Sequence, residues 1–134
     1  MIHKITHVTL YVNNQDDALK FYQDKLGMKV HTDANMTDAN MEEMRWLTMT
    51  PASQGDFELV LMPAKSATTQ ALVGKQSPDA PFMCVSTEDC IGDVTALKAK
   101  GVTFVQDAQV EPWGTSAMFL DLYGNMIYLV QAPE

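Results

Sequence analysis

From Ile5 to Val12 the apolar and β-branched positions Ile5, Val8, Leu10 and Val12, with His7 among them, run into Asn13-Asn14. That pattern predicts a strand followed by a helix cap. In the next segment Ala18, Phe21, Tyr22 and Leu26 share one helical face, Asp16 and Asp17 sit in the first turn, and Gly27 stands where a left-handed terminating residue belongs. Met28 to His31, Met44 to Met49 and Phe57 to Met62 then read as three strands, the last two separated by the turn-forming stretch from Pro51 to Asp56.

The same order returns downstream. Phe82 to Ser86 is strand-like, and Ser86 or Thr87 is placed to cap a helix carrying Ile91, Val94 and Leu97. Gly101 ends that helix, Val102 to Val105 follows as a strand, and Ala117 to Leu120 and Met126 to Val130 are joined by the turn Asp121-Leu122-Tyr123-Gly124-Asn125. Gly101 follows Gly27 by 74 positions (101 − 27), so the chain reads as two copies of one βαβββ module, an α+β protein. The expected division is module one over 1–62, a polar linker over 63–80 with a short helical turn at Thr69 to Val73, and module two over 81–134.

A smaller repeat lies inside module one, where Thr32-Asp33-Ala34-Asn35-Met36 is followed at once by Thr37-Asp38-Ala39-Asn40-Met41. It predicts a lengthened loop, either a solvated excursion or a flap over a pocket.

Composition narrows the class. With 134 residues, 46% of them hydrophobic, the chain suits one ordinary globular domain rather than a disordered one. Seventeen acidic residues against nine basic ones give a net charge of −8, and no basic run exists, which argues against a nucleic-acid or anionic-membrane partner. The N-terminus turns polar at once and no window approaches the ~18 apolar residues of a membrane span, so a cytoplasmic protein is expected. Two cysteines lack zinc or redox spacing and read as reduced thiols. Cys84 is expected in the core, and Cys90 in a helix first turn, where the helix dipole would activate it.

The strand I-T-H-V-T-L-Y-V, the helix end F-Y-Q-D-K-L-G-M and the terminal D-L-Y-G-N-M-I-Y-L-V-Q together resemble the vicinal oxygen chelate superfamily, which includes glyoxalase I, extradiol dioxygenases and bleomycin resistance proteins. The resemblance implies paired βαβββ modules whose strands form a curled mixed sheet around a cup, usually completed in a homodimer. It implies a divalent metal (Zn, Ni, Mn or Fe) held by four ligands in the members that use one. His7 and Glu58 occupy two of those positions; Pro81, found by subtracting the 74-residue offset, and Tyr128 occupy the others and break the set. The implied function is binding of a small-molecule ligand in a cup-shaped pocket with a degenerate metal site. The alternative is a metal-dependent lyase, isomerase or dioxygenase with Glu58 as the catalytic proton shuttle.

Each residue also has a plain structural reading. A histidine among apolar strand neighbours is commonly a satisfied core residue, and Glu58 faces solvent if simple alternation holds. If both point inward, a His7–Glu58 hydrogen-bonded pair is a metal-free acid–base couple. Arg45 suits an anionic ligand, and Trp46, Trp113 and Tyr128 suit a pocket wall, while both tryptophans equally suit core or dimer packing. His3 and His31 have no sequence support for a role, and the ten methionines read as an adaptable apolar lining or as core filler.

Overall fold

A computed structural model describes residues 1–133, which fold into two compact units, one over Met1–Val73 and one from Gly74 onward. In the first unit β1 (His7–Val12) leads into α1 (Gln15–Lys20), which continues as a π-helical turn, Phe21–Lys25. Asn14 caps α1, its side chain accepting from the Asp17 N–H at 2.9 Å. Gly27, at φ 71°, ends the helical stretch in the left-handed region.

β2 (Lys29–Thr37), β3 (Glu43–Thr50) and β4 (Glu58–Pro63) complete a sheet in the order β1-β4-β3-β2. β1 and β4 are parallel and the remaining pairs antiparallel. Leu10, Val12, Leu47, Met49, Leu59 and Leu61 are fully buried with Ala18 and Tyr22 of the helix. Because side chains alternate across a strand, the face turned away from this core carries His7 and Tyr11 of β1, Trp46 and Thr48 of β3, and Glu58 and Met62 of β4.

The duplicated pentads do not form a long loop. The first belongs to β2, and the second supplies the last β2 residue and most of a tight turn into β3. Asp38 holds that turn, its carboxylate accepting from the Asn40 and Glu42 N–H groups, each at 2.9 Å. Register through the pentad is continuous, from Thr32 opposite Thr48 to Thr37 opposite Glu43. The duplication therefore lengthens a hairpin, because paired backbone groups satisfy one another along β2 and β3. The short helix α2 (Ala67–Gln70) forms near the expected place, closed by a capping box between Ser66 and Thr69.

The second unit repeats the arrangement: β5 (Met83–Ser86), α3 (Cys90–Ala99), β6 (Phe104–Glu111), β7 (Gly114–Leu120) and β8 (Met126–Gln131), with sheet order β5-β8-β7-β6. Its helix cap is Asp89, accepting from the Gly92 N–H at 3.0 Å, and not Ser86 or Thr87. Thr87 instead bonds the Asp93 carboxylate of α3 at 2.5 Å and receives the Asp89 N–H. The Asp121–Asn125 turn is a closed network in which the Asp121 carboxylate accepts from the Tyr123 and Asn125 backbones and the Asn125 amide, each at 2.9 Å.

Cys90 opens α3 as expected, but Cys84 is not in the core. Cys84 is exposed and Cys90 is fully buried. Burial, with Asp93 and Asp89 nearby, pushes the Cys90 thiol above its ordinary value, so the helix dipole does not activate it.

Candidate functional site

Glu58 begins β4 directly opposite His7 at the start of β1. Its carboxylate, only 15% exposed, is surrounded by donors. His7 Nε2 lies 2.7 Å from Oε2, while His31 Nδ1 at 2.9 Å and the Thr48 hydroxyl at 2.8 Å meet Oε1. A carboxylate only accepts hydrogen bonds, so the ring nitrogens that face it carry protons. An inward Glu58 is thus compensated by three hydrogen bonds rather than left as an unpaired buried charge.

His31 and Thr48 are the residues that the sequence did not reveal. The β2–β3 register breaks between Val30 and Thr32, and His31 is the extra residue at that bulge. A bulge re-aims a side chain out of simple alternation, and here it brings His31 to Glu58. Thr48 stands on β3 opposite Val60, two residues along β4 from Glu58 and therefore on the same face. Neither placement has a signal in a string of residues.

The other expected site residues divide as follows. Trp46 lies beside the cluster, its ring 6.2 Å from that of His7. Arg45, next to it on the strand, is engaged elsewhere: it donates to both oxygens of Asp33 at 2.8 and 2.9 Å and to Asp16 of α1 at 2.7 Å. That clamp draws the Asp33 carboxyl below the ordinary carboxylate range, first through the Arg45 hydrogen bonds, and raises Arg45 further still. In the second unit Tyr128 is half-buried on β8, and Trp113 is 51% exposed in the turn between β6 and β7.

Pro81 lies before β5, so it cannot be the counterpart of His7 on that strand. The residue directly across from Tyr128 is Cys84, as His7 is across from Glu58. The helix-end offset of 74 does not carry to these strand positions because β5 has four residues where β1 has six.

A cavity of about 360 Å³ opens on the same face of the first unit's sheet, toward the far ends of β1 and β4. Tyr11, Met44, Met62 and Pro63 give it apolar walls, and Lys65 and Thr69 bring polar groups. Its size is that of a small organic ligand site.

The donor set does not fit a divalent-metal centre. Both His7 nitrogens are engaged, Nε2 by Glu58 and Nδ1 at 2.8 Å from the Thr6 hydroxyl. His31 turns its Nδ1 to the carboxylate, so its Nε2 lone pair diverges from the cluster. Among the described residues no group of three or more His, Cys, Asp or Glu is arranged to hold a metal ion.

The sequence profile of the Glyoxalase/Bleomycin resistance protein/Dioxygenase superfamily matches residues 4–129. The chain belongs to that superfamily. Its two four-stranded mixed sheets, each built from a βαβββ unit, are the superfamily fold. Among relatives, YurT of Bacillus subtilis is 33% identical over 130 residues, spanning 96% of this chain and 98% of its own. The crystal structure of UcmS2 superposes with a TM-score of 0.83 at 33% identity, covering 97% of this chain and 98% of that one. TnmS3, an antibiotic binding protein from Streptomyces sp. CB03234, superposes at 0.76 with 27% identity, covering 98% of each chain. Superfamily membership settles the fold and leaves the chemistry to the residues just described.

Proposed function

We propose that this superfamily member binds a small organic molecule on the face of the first unit's sheet that carries Glu58, Trp46 and the Tyr11–Met44–Met62 cavity, and that its metal site is degenerate. The observation that carries the reading is the state of Glu58: its carboxylate already holds hydrogen bonds from His7, His31 and Thr48. An indole ring lies beside its His7 partner, and an apolar cavity of ligand size opens farther along the same sheet face. The likeness to TnmS3, an antibiotic binding protein, supports binding rather than turnover as the function. The reading includes a homodimer in the cytoplasm with neither nucleic-acid nor membrane partners. Among the described residues no helix is long and apolar enough to cross a membrane. Trp113 and Tyr128 belong to the proposal as further ligand contacts, and Arg45 as the brace that holds β3 against α1.

Two measurements test it. Protein incubated with Zn²⁺, Ni²⁺, Mn²⁺ or Fe²⁺ and desalted should carry far less than one metal per chain, whereas stoichiometric metal lost in the His7→Ala/Glu58→Ala double variant establishes the metal-dependent lyase, isomerase or dioxygenase instead. A thermal-shift screen of apolar and aromatic small molecules should find stabilisers, since a ligand at a hundred times its Kd adds about 2.7 kcal/mol to stability. A screen without stabilisers, including aromatic antibiotics, overturns the binding reading.

A further inference from the structure

The cavity on the first unit's sheet carries two opposite charges that its apolar walls do not account for. Asp38 lines it from the residue just after β2, and Lys65 from two residues after β4. Backbone hydrogen bonds fix both positions. The Asp38 N–H donates to the Glu42 carbonyl at 2.8 Å, and beside Lys65 the Ala64 N–H donates to the Val12 carbonyl of β1 at 2.9 Å. The Asp38 carboxylate spends only Oδ1 on its turn, accepting there from Asn40 and Glu42, and Oδ2 has no partner among the described residues. Lys65 has neither a hydrogen bond nor an ion pair among them, so the two charges share a cavity without meeting. The hydroxyls of Ser66 and Thr69 are committed to their capping box, Ser66 Oγ accepting the Thr69 N–H at 3.0 Å and the Thr69 hydroxyl donating to the Ser66 carbonyl at 3.2 Å.

These charges select among ligands. A molecule bearing only an anion gains Lys65 but meets the Asp38 carboxylate and a chain of net charge −8. One bearing only a cation gains Asp38 but meets the Lys65 ammonium. A molecule with both charges at opposite ends of an apolar body pairs with each, and an aromatic body suits the thioethers of Met44 and Met62, which favour contact with rings. At about 360 Å³ the cavity is roughly 9 Å across, about the span of one six-membered ring with a charged group at each end. We propose that this cavity takes dipolar aromatic molecules bearing a carboxylate and an ammonium group at opposite ends. Lys65 binds the carboxylate and Asp38 Oδ2 the ammonium, each through a charge-assisted hydrogen bond.

This inference rests on the small-molecule reading above, and the experiment separates the two. The probe is 4-(aminomethyl)benzoate at pH 7, where both its groups are ionised, compared with 4-methylbenzoate and 4-methylbenzylamine, which lack one charge each. Affinities are read from backbone NMR titrations, which reach millimolar binding. Wild type should bind the dipolar probe about tenfold more tightly than either control, the size expected for one hydrogen bond between charged groups. Lys65→Met should abolish the preference over 4-methylbenzylamine. Asp38→Asn, which keeps the oxygen that the turn needs, should abolish the preference over 4-methylbenzoate. Lys65→Glu should bind 4-methylbenzylamine more tightly than wild type does, a gain that damage to the fold does not produce. Equal wild-type affinity for all three compounds, or an unchanged preference in Lys65→Met, overturns the dipolar assignment and leaves small-molecule binding standing. Absence of binding by the dipolar probe, with other aromatic compounds still stabilising the protein, has the same meaning, whereas failure of every compound overturns the reading on which this one rests.

Discussion

Arg45 joins three elements through its guanidinium: Asp33 of β2 takes two hydrogen bonds, Asp16 of α1 takes one, and Arg45 itself lies on β3. Asp16 is 76% exposed, so most of the stabilisation comes from the two-point pair with Asp33. Arg45→Ala should lower unfolding free energy by about 1 kcal/mol at pH 7, read from urea denaturation. The folded carboxyl of Asp33 lies below its unfolded value, so the pair's contribution is complete above the unfolded pKa near ~3.9 and is lost as pH falls through the folded value. The gap between wild type and Asp33→Asn should accordingly be widest near neutrality and close as the pH drops below about 4.

The thiols give a second test at this scale. Cys84 should react with a disulfide reagent in the native protein and Cys90 only after unfolding, so a thiol count of one rising to two in denaturant is expected. Two reactive native thiols would contradict the buried position of Cys90. Its raised folded pKa also has a sign: the stability linked to it is complete below the unfolded thiol pKa of about 8.5 and declines as pH rises above that. At the scale of single residues the sequence was a partial guide. Glu58 and His7 stood out through the resemblance to the superfamily, while simple alternation left Glu58 equally free to face solvent. The Cys84 and Cys90 environments were not, since a residue's exposure depends on what packs against its strand or helix.

At the level of elements, local chemistry is sufficient wherever the deciding contacts are close in sequence. Asn14 capping Asp17 and the left-handed Gly27 and Gly101 that end the helices, at φ 71° and 85°, are interactions within one turn. The β2–β3 hairpin shows the opposite case, because the pentad repeat became strand through pairing with a separate segment, Thr32 opposite Thr48 and Thr37 opposite Glu43. The turn of that hairpin holds Met41 at φ 64°, a conformation that costs an L side chain about 1–2 kcal/mol. Met41→Gly should therefore raise stability by about 0.5–1 kcal/mol, measured by chemical denaturation, after the greater flexibility of glycine in the unfolded chain is discounted. A decrease would show that the Met41 side chain packs in the turn. In the second unit, the Asp89 cap in place of Ser86 or Thr87 reflects a competition among adjacent oxygens, which Thr87 leaves by bonding Asp93.

For the whole molecule, charge makes a simple prediction. At −8, with its single arginine held by two aspartates, the protein should pass unretained through a heparin or DNA column at about 0.1 M salt. Retention would expose a basic surface that composition conceals.

The sequence by itself determined the order of elements, their duplication and the helix ends, and its motifs pointed to the superfamily and to His7 and Glu58 as candidates. The elements follow from periodicity, capping and turn chemistry, all of which act within a few residues. Tertiary structure decided the rest. It placed a bulge between Val30 and Thr32 that carries His31 to Glu58, set Thr48 beside them, and closed Arg45 onto Asp33 and Asp16. It also put Cys84, rather than Pro81, opposite Tyr128. Strand register is settled by hydrogen bonds between distant segments, and slipping it by one residue moves every side chain to the other face. The composition of the site around Glu58 is therefore a property of the pairing, which no single segment encodes.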